Sequence, residues 1–308
     1  MNSNAVYPRN WYVIAESREV GRKPVELKRF GTGLVAWRDS QGTLSVMRDL
    51  CPHRSVKLSR GAVCGDTLEC CFHGFRFGRD GACQFVPEIK RDAPGLKVET
   101  YRSCEKYGFI WVWWPDGEPG NAQPGWFDEI KEDMVCASLS QVWRCPVTRC
   151  IENQLDYAHL PFLHRSSIGR GFDPSRQAYV ELTSESISFR FEEDTSKPHA
   201  LIAFRMPNVW INKIAPSYVL MLAFVPIDEN YTKFYVRTYQ NFLKIPLLSG
   251  LVTGVMNQIN RFVLREDQNA VESHPAGLSS TQAPFERLFP SDRAIRHFRS
   301  LWVDSRKI

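Results

Sequence analysis

The sequence has no uncharged apolar run long enough to cross a membrane. The longest are Gly108–Trp114 and Tyr218–Ile227, well short of the roughly 18–20 residues a span needs. The apolar stretch Phe242–Met256 is interrupted by Lys244 and Pro246. The opening MNSNAVYPRNW has no apolar core, so no secretory signal is expected. Internal repeats and low-complexity tracts are missing, which argues against solenoids and arrays. Lys and Arg form no dense run and net charge is only +5, which disfavours nucleic-acid binding. No glycine-rich dinucleotide loop follows a strand and opens a helix, so NADH chemistry would need a separate protein. The expectation is a cytoplasmic protein with neither a membrane nor a nucleic acid as partner. At 308 residues, 43% hydrophobic and 24% charged, the composition suits a folded chain of about two domains.

Residues 11–115 read as short β-branched or aromatic runs: Trp11–Ala15, Gly33–Arg38, Thr43–Arg48, Thr67–Cys71, Lys97–Tyr101 and Tyr107–Trp114. Turn residues separate them, as a small antiparallel β domain requires. Pro115–Gly125 holds three Pro and three Gly and marks the domain boundary, giving expected domains of 7–118 and 119–308. The second region opens with a helix near Thr148–Leu160. Long strands Ala178–Glu193, Ala200–Asn212, Tyr218–Ile227 and Tyr231–Asn241 follow. A helix over Val252–Ser273 comes next, with Val255, Ile259, Phe262, Val263 and Val271 broadly on one face. The fold class is α+β: a small antiparallel β domain, then a domain with a central antiparallel sheet and flanking helices.

Histidine is scarce. Of seven in the chain, four fall in two short clusters. Cysteine is more common at nine, and an odd count without an export signal argues against a disulfide framework. The first cluster is Cys51-Pro52-His53, then sixteen residues, then Cys70-Cys71-Phe72-His73. Each half follows an expected strand, so two hairpin tips present one Cys and one His each. Two thiolates and two imidazoles could hold Zn²⁺ or a [2Fe–2S] cluster with two Cys on one iron and two His on the other. Zinc sites usually keep like ligands together, whereas here each half mixes them. Gly74 lets the second loop fold closely around a cluster. Cys64, Cys83, Cys104, Cys136, Cys145 and Cys150 lack ligand spacing and read as buried small hydrophobes.

On these residues, the stretch from about Trp11 to Trp114 resembles Rieske proteins. It departs from the usual Cys-Pro-Tyr-His-Gly-Trp in Cys71, Phe72 and Phe75. The bridging cysteines of respiratory Rieske proteins are replaced by Val56 and Phe72, so that disulfide cannot form. The ligands implied are Cys51, His53, Cys70 and His73.

The second cluster is Asn153-Gln-Leu-Asp156-Tyr-Ala-His159-Leu-Pro-Phe-Leu-His164. On a helix, 153, 156 and 159 share one face, and Pro161 should end or kink it, bringing His164 back toward His159. Two His and a carboxylate form the facial triad of non-haem Fe(II) oxygenases. Asn-x-x-Asp-x-x-His-x₄-His resembles the signature of Rieske non-haem iron oxygenases, so the resemblance spans both domains. It implies a [2Fe–2S] cluster and a mononuclear Fe(II) per chain, with O2 as co-substrate and electrons from NADH through a separate flavin/ferredoxin-type reductase. It implies iron ligands His159 and His164, with the third carboxylate on the late helix, where Asp267 is chosen over Glu266. It assigns Asp156 to bridge His73 of a neighbouring subunit and His159, within a homotrimer. Asn153 is a candidate to line the iron site.

At this length the chain resembles the short, α-only branch that includes vanillate O-demethylase and the dicamba and toluenesulfonate monooxygenases. The implied activity is that of a terminal oxygenase, hydroxylating or demethylating an aromatic or other cyclic small molecule. The alternative is a Rieske electron-transfer protein without oxygenase activity. An apolar wall of Phe204, Met206, Trp210, Met221, Phe224 and Phe234 is expected to line the pocket. His199, His274 and His297 are expected to be structural or exposed.

Overall fold

A computed structural model describes residues 7–115, 117–173, 175–191, 201–283 and 285–305. The chain divides into two compact units, Met1–Pro124 and Gly125–Ile308. The division falls six residues after the expected 118/119 boundary. The reason is local. Trp11 Nε1 donates to the Ala122 carbonyl at 2.8 Å, and Lys106 Nζ to Gln123 Oε1 at 2.6 Å, tying the Pro/Gly stretch to the first unit.

The first unit is all antiparallel β. Its strands are β1 (Asn10–Glu16), β2 (Val25–Arg29), β3 (Thr32–Arg38), β4 (Leu44–Arg48), β5 (Ala62–Cys64), β6 (Thr67–Glu69), β7 (Arg76–Phe77), β8 (Ala82–Val86), β9 (Arg91–Lys97), β10 (Thr100–Tyr101), β11 (Ser103–Lys106) and β12 (Phe109–Trp114). They form three sheets in the orders β1-β12-β11, β10-β4-β3-β2 and β5-β6-β7-β8-β9. β12 reads FIWVWW and is buried along its whole length, as a strand covered on both faces must be. A core of Val35, Trp37, Met47, Leu58, Leu68 and Phe77 also encloses Cys51 and Cys70. Strand β9, with five of seven residues exposed, lacks the alternation that would reveal it in the sequence, and β2 alternates over only five residues.

The second unit carries a seven-stranded antiparallel sheet ordered β13-β19-β18-β17-β16-β15-β14. The strands are β13 (Val135–Trp143), β14 (Tyr179–Leu182), β15 (Ser186–Arg190), β16 (Leu201–Arg205), β17 (Val209–Ala215), β18 (Tyr218–Pro226) and β19 (Thr232–Gln240). Helices α1 (Val147–Leu155), α2 (Leu160–Leu163), α3 (Leu248–Val271) and α4 (Arg293–Asp304) accompany it. Two expected long strands are hairpins instead. Across 178–193 the chain turns where Thr183 Oγ1 accepts the Glu185 and Ser186 amides, pairing β14 with β15. Across 200–212 it turns at Met206-Pro207-Asn208 and pairs β16 with β17. Pro207 cannot donate to a ladder. The ends of both expected strands, and His199, lie outside the described residues.

Helix α3 also corrects the sequence reading. Its inward side is Ser249, Thr253, Asn257, Asn260, Leu264, Asp267 and Val271. Most of these are polar, and the sheet answers them. Asn260 Nδ2 donates to Tyr218 Oη at 2.8 Å and to Thr238 Oγ1 at 2.9 Å, Thr238 Oγ1 donates to Asn257 Oδ1 at 3.0 Å, and Gln240 Nε2 donates to Thr253 Oγ1 at 3.2 Å. Buried polar groups are tolerated when paired in this way. The apolar stripe of Val255, Ile259 and Phe262 faces outward.

Candidate metal centres

Two loops of the first unit, 51–56 and 70–75, have the same backbone. The amide of Cys51 donates to the Val56 carbonyl and that of Cys70 to the Phe75 carbonyl, each at 2.8 Å. The amide four residues after each cysteine returns to its carbonyl, Ser55 to Cys51 at 2.8 Å and Gly74 to Cys70 at 3.0 Å. That fourth residue is left-handed in both loops, with φ of 58° at Ser55 and 69° at Gly74. Gly74 has a second constraint, since a Cβ there would meet the Pro87 Cγ at 3.0 Å. Such conformations suit glycine and strain most other residues.

The loops separate their thiols from their imidazoles. Cys51 and Cys70 are each 2% exposed and belong to the core. His53 and His73 are at the surface with ring centroids 4.7 Å apart, and Phe75 stacks on His53 at 4.5 Å. Burial pushes the Cys51 thiol up to about 11. The His53 amide opposes the shift and the Cys70 thiol adds to it. Buried thiols thus pair inside and imidazoles pair outside. This partition fits a two-iron cluster, one iron on each pair, better than a single tetrahedral ion. Cys71 is exposed, and so is Phe72, whose ring lies 4.0 Å from that of His73. The reading of the remaining cysteines as buried holds for Cys83, Cys145 and Cys150. Cys64 and Cys104 are half-buried and Cys136 is exposed, because each lies on an edge or partly solvated strand.

In the second unit, helix α1 stops at Leu155 and does not reach His159. Asp156 is extended at φ −89°, ψ 119°, and its Oδ1 accepts the Ala158 amide at 2.8 Å. Short polar side chains end helices this way. Residues 153, 156 and 159 therefore do not share a helix face. Pro161 likewise starts α2 in place of ending a helix, since its missing N–H is harmless in a first turn. The turn still brings His159 Nδ1 to 3.4 Å from Asp156 Oδ2.

Helix α3 supplies the rest. Asp267 Oδ1 lies 3.0 Å from His164 Nε2 and 3.4 Å from His159 Nε2. Ligand atoms of His159, His164 and Asp267 all fall within 4.8 Å of one another. His164 is 1% and Asp267 3% exposed. Burial disfavours charge on His159, but hydrogen bonds to Asp156 and Asp267 outweigh it and raise it to about 9. His164 moves up against the same opposition, through Asp267 and Glu266. Asp267 is held below the usual carboxylate range by the two imidazoles despite its burial. The site therefore favours a positive charge at its centre, and its donors are those of the two-histidine, one-carboxylate iron sites.

Glu266, the alternative carboxylate, points to the other edge of His164. Its Oε2 is 2.9 Å from Nδ1 and accepts the Ser167 hydroxyl at 2.7 Å. Asn153 Nδ2 donates to Asp267 Oδ1 at 3.2 Å and Gln154 Nε2 to Asp267 Oδ2 at 3.4 Å. Ser167 and Gln154 carry no motif of their own, although Gln154 adjoins Asn153.

A cavity of about 290 Å³ borders the triad at Asn153, Asp156 and His159. Its wall includes a charged quartet that the sequence reading missed. Arg299 Nε is 2.7 Å from Glu152, Arg299 Nη2 2.6 Å from Glu286, and Arg149 Nη1 2.6 Å from Glu286. Only the Arg149–Glu152 pair, three residues apart on α1, was visible as a pattern. The expected aromatic wall does not line this cavity. Phe204 packs on Phe298, Phe224 on Phe234 and Phe234 on Trp143, while Trp210 Nε1 donates to the Gln154 carbonyl. These residues are interior packing. His274 also borders the cavity, and His297 Nε2 lies 2.9 Å from the Thr183 carbonyl.

Residues 10–102 match the Rieske [2Fe–2S] domain, and 143–213 match the vanillate O-demethylase oxygenase C-terminal domain. The chain is 30% identical to Protein TIC 55, chloroplastic, of Pisum sativum, over 96% of this chain and 57% of that protein. It is 30% identical to the oxygenase component of chloroacetanilide N-alkylformylase of Rhizorhabdus wittichii, over 51% of this chain and 47% of that protein. It spans about half the length of these curated relatives. The fold matches dicamba monooxygenase bound to 3,6-dichlorosalicylic acid, with TM-score 0.81, 18% identity and 97% of each chain covered. Among the described residues, no helix is long and apolar enough to cross a membrane.

Proposed function

Because this chain joins a Rieske [2Fe–2S] domain to a vanillate O-demethylase oxygenase C-terminal domain, we propose that it is a terminal oxygenase. It uses O2 and externally supplied electrons to hydroxylate or demethylate an aromatic or other cyclic small molecule. The observation that carries this reading is the convergence of His159, His164 and Asp267. A Rieske electron-transfer protein has no need of such a triad.

Cys51, His53, Cys70 and His73 would hold the cluster, and His159, His164 and Asp267 the mononuclear iron. Bound there, iron supplies dioxygen activation, with the cluster as its one-electron source. The chain's own residues prepare the site. Glu266 fixes the His164 ring with Nε2 inward through its 2.9 Å hydrogen bond, and Asp156 Oδ2 stands 3.4 Å behind His159 Nδ1, where carboxylates commonly support metal-bound histidines. Asn153 and Gln154 hold both oxygens of Asp267, limiting its freedom to rotate. Asp156 remains 30% exposed at its side chain, which leaves it accessible to a second subunit. This supports a head-to-tail homotrimer in which Asp156 meets the neighbouring subunit's His73. The electron donor is a separate flavin/ferredoxin-type reductase, and the setting is cytoplasmic.

The test is product analysis of the full chain supplied with O2, a reductant and a panel of aromatic and methylated ring compounds. Oxygenated or demethylated product, with about three irons per chain, is the expected result. Two irons per chain and no product would leave electron transfer as the function.

A further inference from the structure

Helix α3 is turned inside out relative to an ordinary amphipathic helix, which buries its apolar side. Its polar side is buried against the sheet. Outward lie Leu247, Leu251, Val255, Ile259 and Phe262, exposed by 93, 66, 54, 59 and 61%. Ile245, 58% exposed, extends the line at its start. The spacing of four, four, four and three residues sets these side chains in one ridge along the helix. Core packing cannot account for the ridge, because the core contact of α3 is made by the other side. Large exposed apolar strips mark contact surfaces.

The charges around the ridge indicate what it meets. Residues 242–265 contain no Asp or Glu, and their charges are Lys244, Arg261 and Arg265. Lys244 pairs with Asp133. Arg261 and Arg265, at the end of the ridge, have no ion pair among the described residues. Two copies packed ridge to ridge would bring like charges together. With Asp133 engaged by Lys244, the remaining charges beside the ridge are Arg261 and Arg265, and an apolar ridge flanked by these arginines matches an anionic bilayer surface, into whose boundary such helices sink sideways without spanning it. We propose that the outer face of α3 docks the protein on anionic phospholipid membranes. This departs from the expectation of no membrane partner, which rested on the lack of a spanning run. An interfacial ridge needs no such run. The proposal is independent of the catalytic reading, although the docking helix is the one that carries Asp267.

Vesicle flotation of the full, metal-loaded chain tests it. One set of vesicles is phosphatidylcholine alone, and the other contains phosphatidylglycerol as well. Wild type should float with the anionic vesicles and much less with the neutral ones. The triple variant Leu251→Gln, Ile259→Gln, Phe262→Gln should lose at least about tenfold in partitioning. It replaces only exposed side chains, and an unchanged far-UV circular dichroism spectrum and thermal midpoint would verify folding. Arg265→Ala should weaken binding to anionic vesicles by about fivefold and leave the neutral background unchanged. Flotation that is absent, or equal in the triple variant, overturns the proposal. So does a wild-type oligomer that the triple variant splits without any vesicle binding, which would make the ridge an interface between copies.

Discussion

The two candidate metal centres distribute exposure in opposite ways. In the first unit the thiols of Cys51 and Cys70 are buried and the imidazoles of His53 and His73 stand at the surface. In the second, His164 and Asp267 are buried, and His159 is 18% exposed at its side chain. A centre that must pass an electron onward benefits from an exposed edge. A centre that must handle a reactive oxidant benefits from exclusion of bulk water. The regions also differ in construction. The first is two copies of one loop, each anchored by its own backbone bonds. The second is assembled from a broken helix and a distant one, and depends on supporting side chains for alignment. Substitutions should therefore act in an all-or-none way in the first region and in graded steps in the second.

The largest effect should come from Cys70→Ala, which removes a buried ligand and should abolish the [2Fe–2S] absorption and EPR signals. Cys71→Ala, one residue away and exposed, should leave both nearly unchanged. The reverse pattern would refute the ligand assignment and the loop equivalence with it. In the second region, Asp267→Ala should reduce mononuclear iron affinity by well over about 100-fold, while the Rieske signal persists. Retention of iron by that variant would move the carboxylate role elsewhere.

Asp156→Asn probes the link between the regions. It keeps size but replaces an acceptor oxygen with a donor. Both centres should load, and the reduced cluster should fail to reoxidise on the wild-type timescale when substrate and O2 are added. Stopped-flow traces normalised to intact cluster provide the check. A wild-type rate would remove the bridging role and the main argument for head-to-tail assembly.

The same contrast explains what the sequence reveals. Cys51, His53, Cys70 and His73 are legible because each pair is covalently close and follows a strand. His159 and His164 stand out because they lie five residues apart in one short cluster. Asp267 is 103 residues from His164, and only the family resemblance placed it. Its neighbour Glu266 could be told apart from it only by which edge of His164 each meets. The helix over 148–160 misleads because periodicity does not register that Asp156 can bond the Ala158 amide and stop the turn. Helix α3 misleads for a different reason. Periodicity shows that a helix has two faces, but the side that is buried depends on what opposes it. Here Thr238, Gln240 and Tyr218 offer hydrogen bonds to the polar side. The charged quartet joins α1 to residues beyond 280, so most of its pairing has no local signature.

The supporting residues should give the smallest effects, and they are the sharpest test of graded construction. Glu266→Gln keeps the shape but removes the anion behind His164. It should weaken iron binding by about 10–100-fold, measured by competition with a chelator, and leave the cluster potential unchanged. Ser167 touches the site only through Glu266, whose Oε2 it holds at 2.7 Å. Losing one hydrogen bond to a charged group is worth about 1–2 kcal/mol at most in this partly exposed setting. Ser167→Ala should therefore weaken iron binding by no more than about fivefold to thirtyfold. If Ser167 acts by orienting Glu266, the two changes share one pathway and should not add. In a Glu266→Ala background, Ser167→Ala should have no further effect on iron affinity. Full additivity would mean that Ser167 stabilises the turn after α2 on its own account, through its 3.4 Å contact with the His164 carbonyl, and that Glu266 needs no help to hold the imidazole.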